Sequence, residues 1–152
     1  MDSNDIFRRL RYILGYNDLK MAEVFALAND PIDQARVTTW LKKDEDSDFV
    51  KMPDVALATF LNGLIIQKRE KKDGPQPVPE QVLNNNIVFR KLRIAYNLQS
   101  DDILEMFELV GKNISPHELS AFFRKPTSGK YRECNDQYLR HFLSGLQEKF
   151  RG

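Results

Sequence analysis

The chain has 152 residues, of which 41% are hydrophobic and 30% are charged, and its 23 basic and 22 acidic side chains nearly cancel. This composition is typical of a soluble globular protein, and the balanced charge excludes a long-range field that would draw the whole molecule to nucleic acid or to an anionic membrane. Its single cysteine excludes an internal disulfide, no apolar run approaches the roughly 20 residues that cross a bilayer, and the acidic start is unlike a secretory signal, so we expect a cytoplasmic protein without a membrane partner.

Helical periodicity dominates the first half of the chain. A first helix is predicted over residues 4–14, with an apolar stripe of Ile6, Phe7, Leu10, Ile13 and Leu14. Asn17 supplies a capping side chain for a second helix, which we expect to be the most buried helix of the unit. A third helix is predicted from near Asp33 and a fourth from near Pro53, with the acidic loop 44–48 between them.

A second set of four helices is predicted after a proline-rich segment. Residues 70–81 read E-K-K-D-G-P-Q-P-V-P-E-Q, and their prolines and glycine exclude a continuous helix. A shift of 82 positions then aligns residues 4–69 with residues 86–151 without a gap, and 17 of the 66 pairs are identical. We therefore predict an all-α protein with two homologous four-helix units in tandem. The expected boundaries are a first unit at residues 1–69, a linker at 70–83 and a second unit at 84–152.

Two features indicate close packing. A separate unit of this size would bury only about 60% of its unfolded surface, against about 68–70% for the whole chain, which favours two units packed together. Gly63 and Gly145 occupy equivalent interior positions of the fourth helices, where glycine costs roughly 1 kcal/mol relative to alanine. The repeated cost indicates a close helix contact, for which the interface between the two units is a candidate.

The second and third helices of each unit indicate a possible nucleic-acid-binding function. Each pair reads as helix, turn, helix, and is similar to repressor-like DNA-binding domains that present a helix to the major groove. Lysine and arginine bind phosphates or guanine edges, and threonine contacts either. The candidate contacts, from the third helices and from basic faces of the first helices, are Arg8, Arg11, Arg36, Thr39, Lys42, Lys43, Arg90, Arg93, Arg124 and Lys125.

Other interpretations of the same residues stay open. Cations near a helix C-terminus also favour the negative end of the helix dipole, the connecting turns are long for that motif, and the acidic loop 44–48 would repel phosphate. Another protein is the alternative partner, bound as by an adaptor in the cleft between the two repeats. Arg8/Arg90 and Arg11/Arg93 are identical in both units, and a core does not require arginine, so these are the first residues to mutate. The oligomeric state is not predicted.

An enzymatic function is not expected. The thiol of Cys134 precedes a helix whose N-terminus could lower its pKa, but the sequence places no base beside it. His117 and His141 are interpreted as surface or packing residues. No spacing of metal ligands or phosphate-binding glycine loop is found, and the acidic loop lacks the glycine and terminal glutamate of a calcium site. We predict no catalytic residue, no metal and no cofactor.

Several sequence segments occur in order along the chain. They read N-D-I-F-R-R-L-R-Y-I-L, F-L-N-G-L, N-N-N-I-V-F-R-K-L-R-I-A, S-D-D-I-L and R-E-C-N-D-Q-Y-L-R-H-F-L-S-G-L. Together they resemble the YehS-like bacterial family, a duplicated domain of unknown function, over essentially the whole chain. The resemblance implies a small bacterial cytosolic protein and carries over no catalytic residues. We interpret the protein as a non-enzymatic binding or regulatory module.

Overall fold

A computed structural model describes residues 1–151, which form eight α-helices and no β-strand. The first four helices are α1 (Ser3–Leu14), α2 (Asp18–Leu27), α3 (Gln34–Leu41) and α4 (Asp54–Arg69). The next four are α5 (Asn85–Ala95), α6 (Ser100–Leu109), α7 (Pro116–Phe122) and α8 (Asp136–Leu146), and a π-helical turn at Gln147–Arg151 continues α8. The predicted all-α architecture of two four-helix units is confirmed. Contacts divide the chain into a first unit, Met1–Leu83, and a second unit that begins at Asn84.

Several helices begin where capping side chains satisfy free backbone N–H groups, although α3 and α4 have no side-chain cap. Asn17 accepts a hydrogen bond from the Lys20 N–H at 2.9 Å at the start of α2. At the start of α7, Ser115 and Glu118 form a reciprocal capping box, with Pro116 in the first turn. These local signals explain why the predicted starts of the second and third helices agree with the structure.

A cluster of aromatic rings forms the centre of the first unit. Each of its four helices contributes one buried ring: Phe7, Phe25, Trp40 and Phe60. The rings of Phe7 and Phe60 meet edge to face with centroids 5.0 Å apart, a geometry that aromatic pairs prefer. In the second unit the equivalent rings Phe89 and Phe142 stack at 4.0 Å. The conserved aromatic pairs of the repeat therefore mark the core of each unit.

The second helix is not the most buried helix of the first unit. Every residue from Leu57 to Leu64 is buried, whereas α2 buries only Met21, Ala22, Val24 and Phe25. The prediction that the second helix is the most buried is therefore wrong. Both helices have two neighbours, α3 and α4 for α2 and α1 and α2 for α4, so the apolar pattern of a helix does not by itself rank its burial.

Gly63 and Gly145 allow the fourth helix of each unit to lie directly on the second. A Cβ atom at Gly63 would overlap the carbonyl oxygen of Val24 on α2, and one at Gly145 would lie 2.8 Å from the carbonyl oxygen of Met106 on α6. Val24 and Met106 are themselves equivalent in the repeat. The predicted close contact exists, but its partner helix lies in the same unit, so the candidate placement between the units is wrong.

Helix length and polarity also bear on membrane insertion. Within residues 1–151, no helix combines the length and the apolar character that crossing a bilayer requires.

Candidate nucleic-acid interface

A buried asparagine joins the first helix of the first unit to the end of the third. The Nδ2 of Asn4 donates to the carbonyls of Trp40 and Val50, each at 3.0 Å, and its Oδ1 accepts from the Met52 N–H at 2.9 Å. Asn4 is fully buried, so these bonds satisfy a side-chain amide that no water reaches. They fix the segment between α3 and α4 against α1.

The second unit contains an equivalent set of three hydrogen bonds around Asn86. We call each set an asparagine clamp. The Nδ2 of Asn86 donates to the carbonyls of Phe122 and Arg132 at 3.0 and 2.8 Å, and its Oδ1 accepts from the Cys134 N–H at 2.9 Å. The residue that caps α5 is Asn84, two positions before Asn86. The clamp was not predicted from the sequence. The identical polar pair Asn4 and Asn86 in the repeat was the signal that could have indicated it.

Arg8 lies one helical turn after Asn4 and therefore reaches the same end of α3. One guanidinium nitrogen donates to the carbonyl of Lys42 at 2.8 Å, and the other pairs with Asp5 at 2.6 Å and lies 3.8 Å from Asp44. Arg8 thus binds a free carbonyl just beyond the end of the helix. Two carboxylates neutralise its charge.

The equivalent arginine of the second unit, Arg90, has a different environment. The positions of the two carboxylates that neutralise Arg8 are taken by Ile87 and Pro126, and another cation, Arg124, precedes Pro126 by two positions. Arg90 is exposed, and no hydrogen bond or ion pair joins it to another residue in the part of the chain that the structure describes. The two units therefore share an arginine that is paired with carboxylates in the first unit and has no carboxylate partner in the second, among the described residues.

Arg90 belongs to a group of exposed cations, which we call the second-unit cationic cluster. Its members surround the loop after α7: Arg90, Arg124, Lys125 and Lys130. The loop is folded back on the helix end, because the Ser128 N–H donates to the carbonyl of Lys125 at 2.8 Å. Burial raises the pKa of Tyr131 in this loop, the charges of Glu133 and Cys134 raise it further, and the nearby charge of Arg90 partly offsets the rise. Arg90 lies one turn after Asn86, whose side chain binds the carbonyl of Phe122 at the end of α7, so the four exposed cations belong to one region of the surface.

Few carboxylates are available near this cluster to balance its positive charge. Arg132 is not a member, because it lies 3.8 Å from Glu118, and hydrogen bonds from Tyr138 and Ser115 hold the pKa of that carboxyl below its usual value. Residues 124–133 contain four cations and one carboxylate, Glu133, whereas the equivalent residues 42–51 contain three lysines and four carboxylates. The same surface thus carries opposite net charge in the two units.

The other predicted contacts lie in varied surroundings. Arg11, Arg36 and Lys43 are exposed and Lys42 is half-buried. The Nε of Arg93 donates to the carbonyl of Leu98 at 3.2 Å, and its guanidinium lies 4.6 Å from the centroid of the Phe123 ring. Arg93 therefore packs within its own unit, unlike its exposed equivalent Arg11.

The hydroxyl groups on the outer face of α3 are already hydrogen-bonded. Thr39 donates to the carbonyl of Arg36 at 2.6 Å, and Thr38 donates to the Asp18 carboxylate at 2.7 Å. The connections α2–α3 and α6–α7 comprise residues 28–33 and 110–115, longer than the roughly 3–4-residue turn of a helix-turn-helix. The hydroxyl groups and the long connections of these helices therefore differ from those of a helix that reads base edges.

Cys134 is a buried free cysteine. Burial, followed by the charge of Asp136, raises the pKa of its thiol to about 12, which is opposite to the lowering considered from its place before a helix. Its backbone N–H is held by the clamp residue Asn86. His117 is exposed and His141 packs edge to face on Phe107. No group of three or more potential metal ligands lies together among residues 1–151.

We expect Cys134 to resist alkylation in the folded protein. A thiol with a pKa of about 12 is almost wholly protonated at about pH 8, whereas roughly one in four ordinary cysteines is then a thiolate. Labelling by iodoacetamide should be at least about 100-fold slower in the native protein than in guanidinium chloride. Mass spectrometry of timed samples measures this ratio. Equal rates in the two states would show that the thiol is accessible and ionised.

A tandem pair of four-helix units, each closed by a buried asparagine, defines the structural class of this protein. The chain belongs to the family described as "Protein of unknown function (DUF1456)", whose model matches residues 3–70 and again residues 85–152. The uncharacterized protein YehS of Escherichia coli (strain K12) is 44% identical over 147 residues, which are 96% of this chain and 94% of that protein. The resemblance predicted from the sequence is thus confirmed. No solved structure matches the chain.

Proposed function

We propose that this protein is a non-enzymatic binding module that binds nucleic acid through phosphate contacts from the second-unit cationic cluster. The observation that carries this proposal is the state of Arg90, which has lost both carboxylates that neutralise Arg8 at the equivalent place. Arg124 and Lys125, just beyond the end of α7, have no carboxylate partner among the described residues. Clustered arginine and lysine side chains are the usual phosphate ligands of nucleic-acid-binding proteins.

The helix dipole does not account for this charge pattern. The negative end of α7 favours nearby cations, but the same argument applies to Lys42 and Lys43 at the end of α3. It does not explain why the second-unit loop has a single carboxylate where the first-unit loop has four. Exposed cations repel one another, and an anionic partner would relieve that repulsion.

Phosphate contact supports binding without a preferred base sequence. Contacts to phosphates position a protein on nucleic acid, whereas sequence is read at base edges. The exposed cations lie on a loop and at helix ends, and the connections before α3 and α7 are longer than those of a helix-turn-helix. Affinity should therefore depend on salt more than on sequence.

The proposal predicts a large loss of affinity when three cations of the cluster are removed. Arg90→Ala/Arg124→Ala/Lys125→Ala should weaken binding to random duplex DNA at least about 10-fold at about 50 mM salt, because each lost contact no longer releases a counterion. Fluorescence anisotropy of a labelled duplex measures the dissociation constant. Wild-type protein that does not bind at this salt concentration would overturn the nucleic-acid function and favour the protein-adaptor alternative.

The control for this variant removes the same charge elsewhere. Lys51, Lys71 and Lys72 are exposed and lie outside the cluster, so Lys51→Ala/Lys71→Ala/Lys72→Ala should keep the dissociation constant within about twofold. If both triple variants lost affinity equally, net charge rather than the cluster would be responsible. Circular dichroism of each variant verifies that the helices are retained.

A further inference from the structure

We infer that the duplication has produced one binding unit and one unit that neutralises itself, so that each chain offers a single phosphate-binding surface, in its second unit. This inference rests on the proposed function and specifies which copy performs it. Its basis is that equivalent residues in the two units differ in their charge environment while the fold around them is the same.

The two units share the same scaffold around the clamp. The clamp residues Asn4 and Asn86 make the same three hydrogen bonds at equivalent positions, with lengths that agree within 0.2 Å. Each bond joins the first helix to the end of the third helix or to the segment before the fourth. A difference in function between the units therefore does not require a difference in this scaffold.

The arginine beside the clamp has different partners in the two units. Asp5 and Asp44 pair with Arg8, and its side chain is only 24% exposed. Arg8 is also committed to the carbonyl of Lys42. Engaging a phosphate would require breaking a hydrogen-bonded ion pair, so Arg8 is a poor phosphate ligand. Arg90 has no such bond to give up among residues 1–151.

The loop that follows α3 places carboxylates close to Lys42 and Lys43. The Asp46 N–H donates to the carbonyl of Lys43 at 3.0 Å, and the Phe49 N–H donates to the carbonyl of Asp46 at 3.1 Å. These bonds keep the loop compact at the helix end. Its exposed carboxylates are Asp44, Glu45, Asp46 and Asp48. They lie within about one Debye length of Lys42 and Lys43, roughly 10 Å at 0.1 M salt, so they cancel the attraction of these lysines for phosphate.

Two matched double variants test this division. Lys42→Ala/Lys43→Ala and Arg124→Ala/Lys125→Ala remove equivalent cations from the two units. The slope of log K against log salt on duplex DNA should become shallower by about 2 for the second-unit variant and stay unchanged for the first-unit variant. Equal changes in both would overturn the inference and leave the proposed function intact. Wild-type protein that does not bind would overturn both.

A gain of binding tests the reason for the division. The variant Asp44→Asn/Glu45→Gln/Asp46→Asn/Asp48→Asn removes the carboxylates and keeps the side-chain size. It should steepen the slope by about 2, because Lys42 and Lys43 become available to phosphate, and titration should then show a second duplex bound per chain at low salt. An unchanged slope with native circular dichroism would overturn the inference, since the carboxylates would not be what silences the first unit.

Discussion

Replacing Asn86 with leucine is expected to lower the free energy of unfolding by about 4 kcal/mol. The leucine would leave the N–H of Cys134 and the carbonyls of Phe122 and Arg132 without their partner, and each orphaned buried polar group costs about 1–3 kcal/mol. Since domains are stable by only about 5–15 kcal/mol, the second unit should be close to unfolding. Urea titration followed by far-ultraviolet circular dichroism measures the loss.

The neighbouring asparagines provide a matched control for Asn86→Leu. Asn84 caps α5 by accepting from the Ile87 N–H at 2.8 Å, and Asn84→Ala should cost only about 1 kcal/mol. The equivalent change in the first unit, Asn4→Leu, should cost about as much as Asn86→Leu, since Asn4 is fully buried. Costs of about 1 kcal/mol for all three would contradict the role of the clamp.

Replacing Gly63 with alanine is expected to destabilise the first unit by about 3 kcal/mol. Alanine in a helix interior normally gains about 1 kcal/mol over glycine. Here its Cβ would overlap the backbone carbonyl of Val24, and backbone cannot move aside as a flexible side chain can. Overpacking a core costs about 1–3 kcal/mol, and separating α4 from α2 would also disturb the aromatic core. Thermal unfolding with calorimetry provides the measurement.

Two other glycines calibrate the effect of Gly63→Ala. A Cβ at Gly145 would lie 2.8 Å from the carbonyl of Met106, and one at Gly129 would meet no atom within 4 Å. The destabilisation should therefore fall in the order Gly63→Ala, Gly145→Ala, Gly129→Ala, with the last within about 0.5 kcal/mol of wild type. A Gly63→Ala variant as stable as Gly129→Ala would show that the helices have room to separate.

Much of this fold is predictable because its signals are local. Helix periodicity depends on residues a few positions apart, and caps such as Asn17 and Ser115 act within their own turn. The repeat then supplied the second unit without further assumption. Burial was predicted less well: the apolar pattern of α2 indicated the most buried helix, but α4 is buried without interruption through Leu57–Leu64, although each of the two helices packs against two others. That outcome depends on tertiary packing, which periodicity alone does not encode.

The candidate site was only partly predictable from the residues. Arg90 and Arg124 were singled out because of their type and position in the repeat, but sequence alone treated Arg8 and Arg90 as equals. Their difference arises from residues distant in the chain, such as Asp44, which the fold brings to 3.8 Å from Arg8. The clamp was missed for the same reason, since the three partners of Asn4 lie 36–48 positions away. Long-range polar contacts leave no periodic trace in the sequence.

The two units share a scaffold and differ in the charge of one loop. Both units keep the clamp, the aromatic core and the glycine contact, which are requirements of folding. They differ most in charge at residues 42–51 and 124–133, which lie on the surface and contribute little to stability. A surface that changes charge on a constant scaffold is typical of a change in binding.

The salt dependence of duplex DNA binding by the wild-type protein tests the central claim most directly. Four phosphate contacts from Arg90, Arg124, Lys125 and Lys130 predict a slope of log K against log salt of about −3.6, which is a loss of affinity of roughly 100-fold between about 50 and 200 mM salt. The triple variant Arg90→Ala/Arg124→Ala/Lys125→Ala should bring the slope to about −1. A wild-type slope near zero, or one that the triple variant leaves unchanged, would contradict phosphate binding by the second unit.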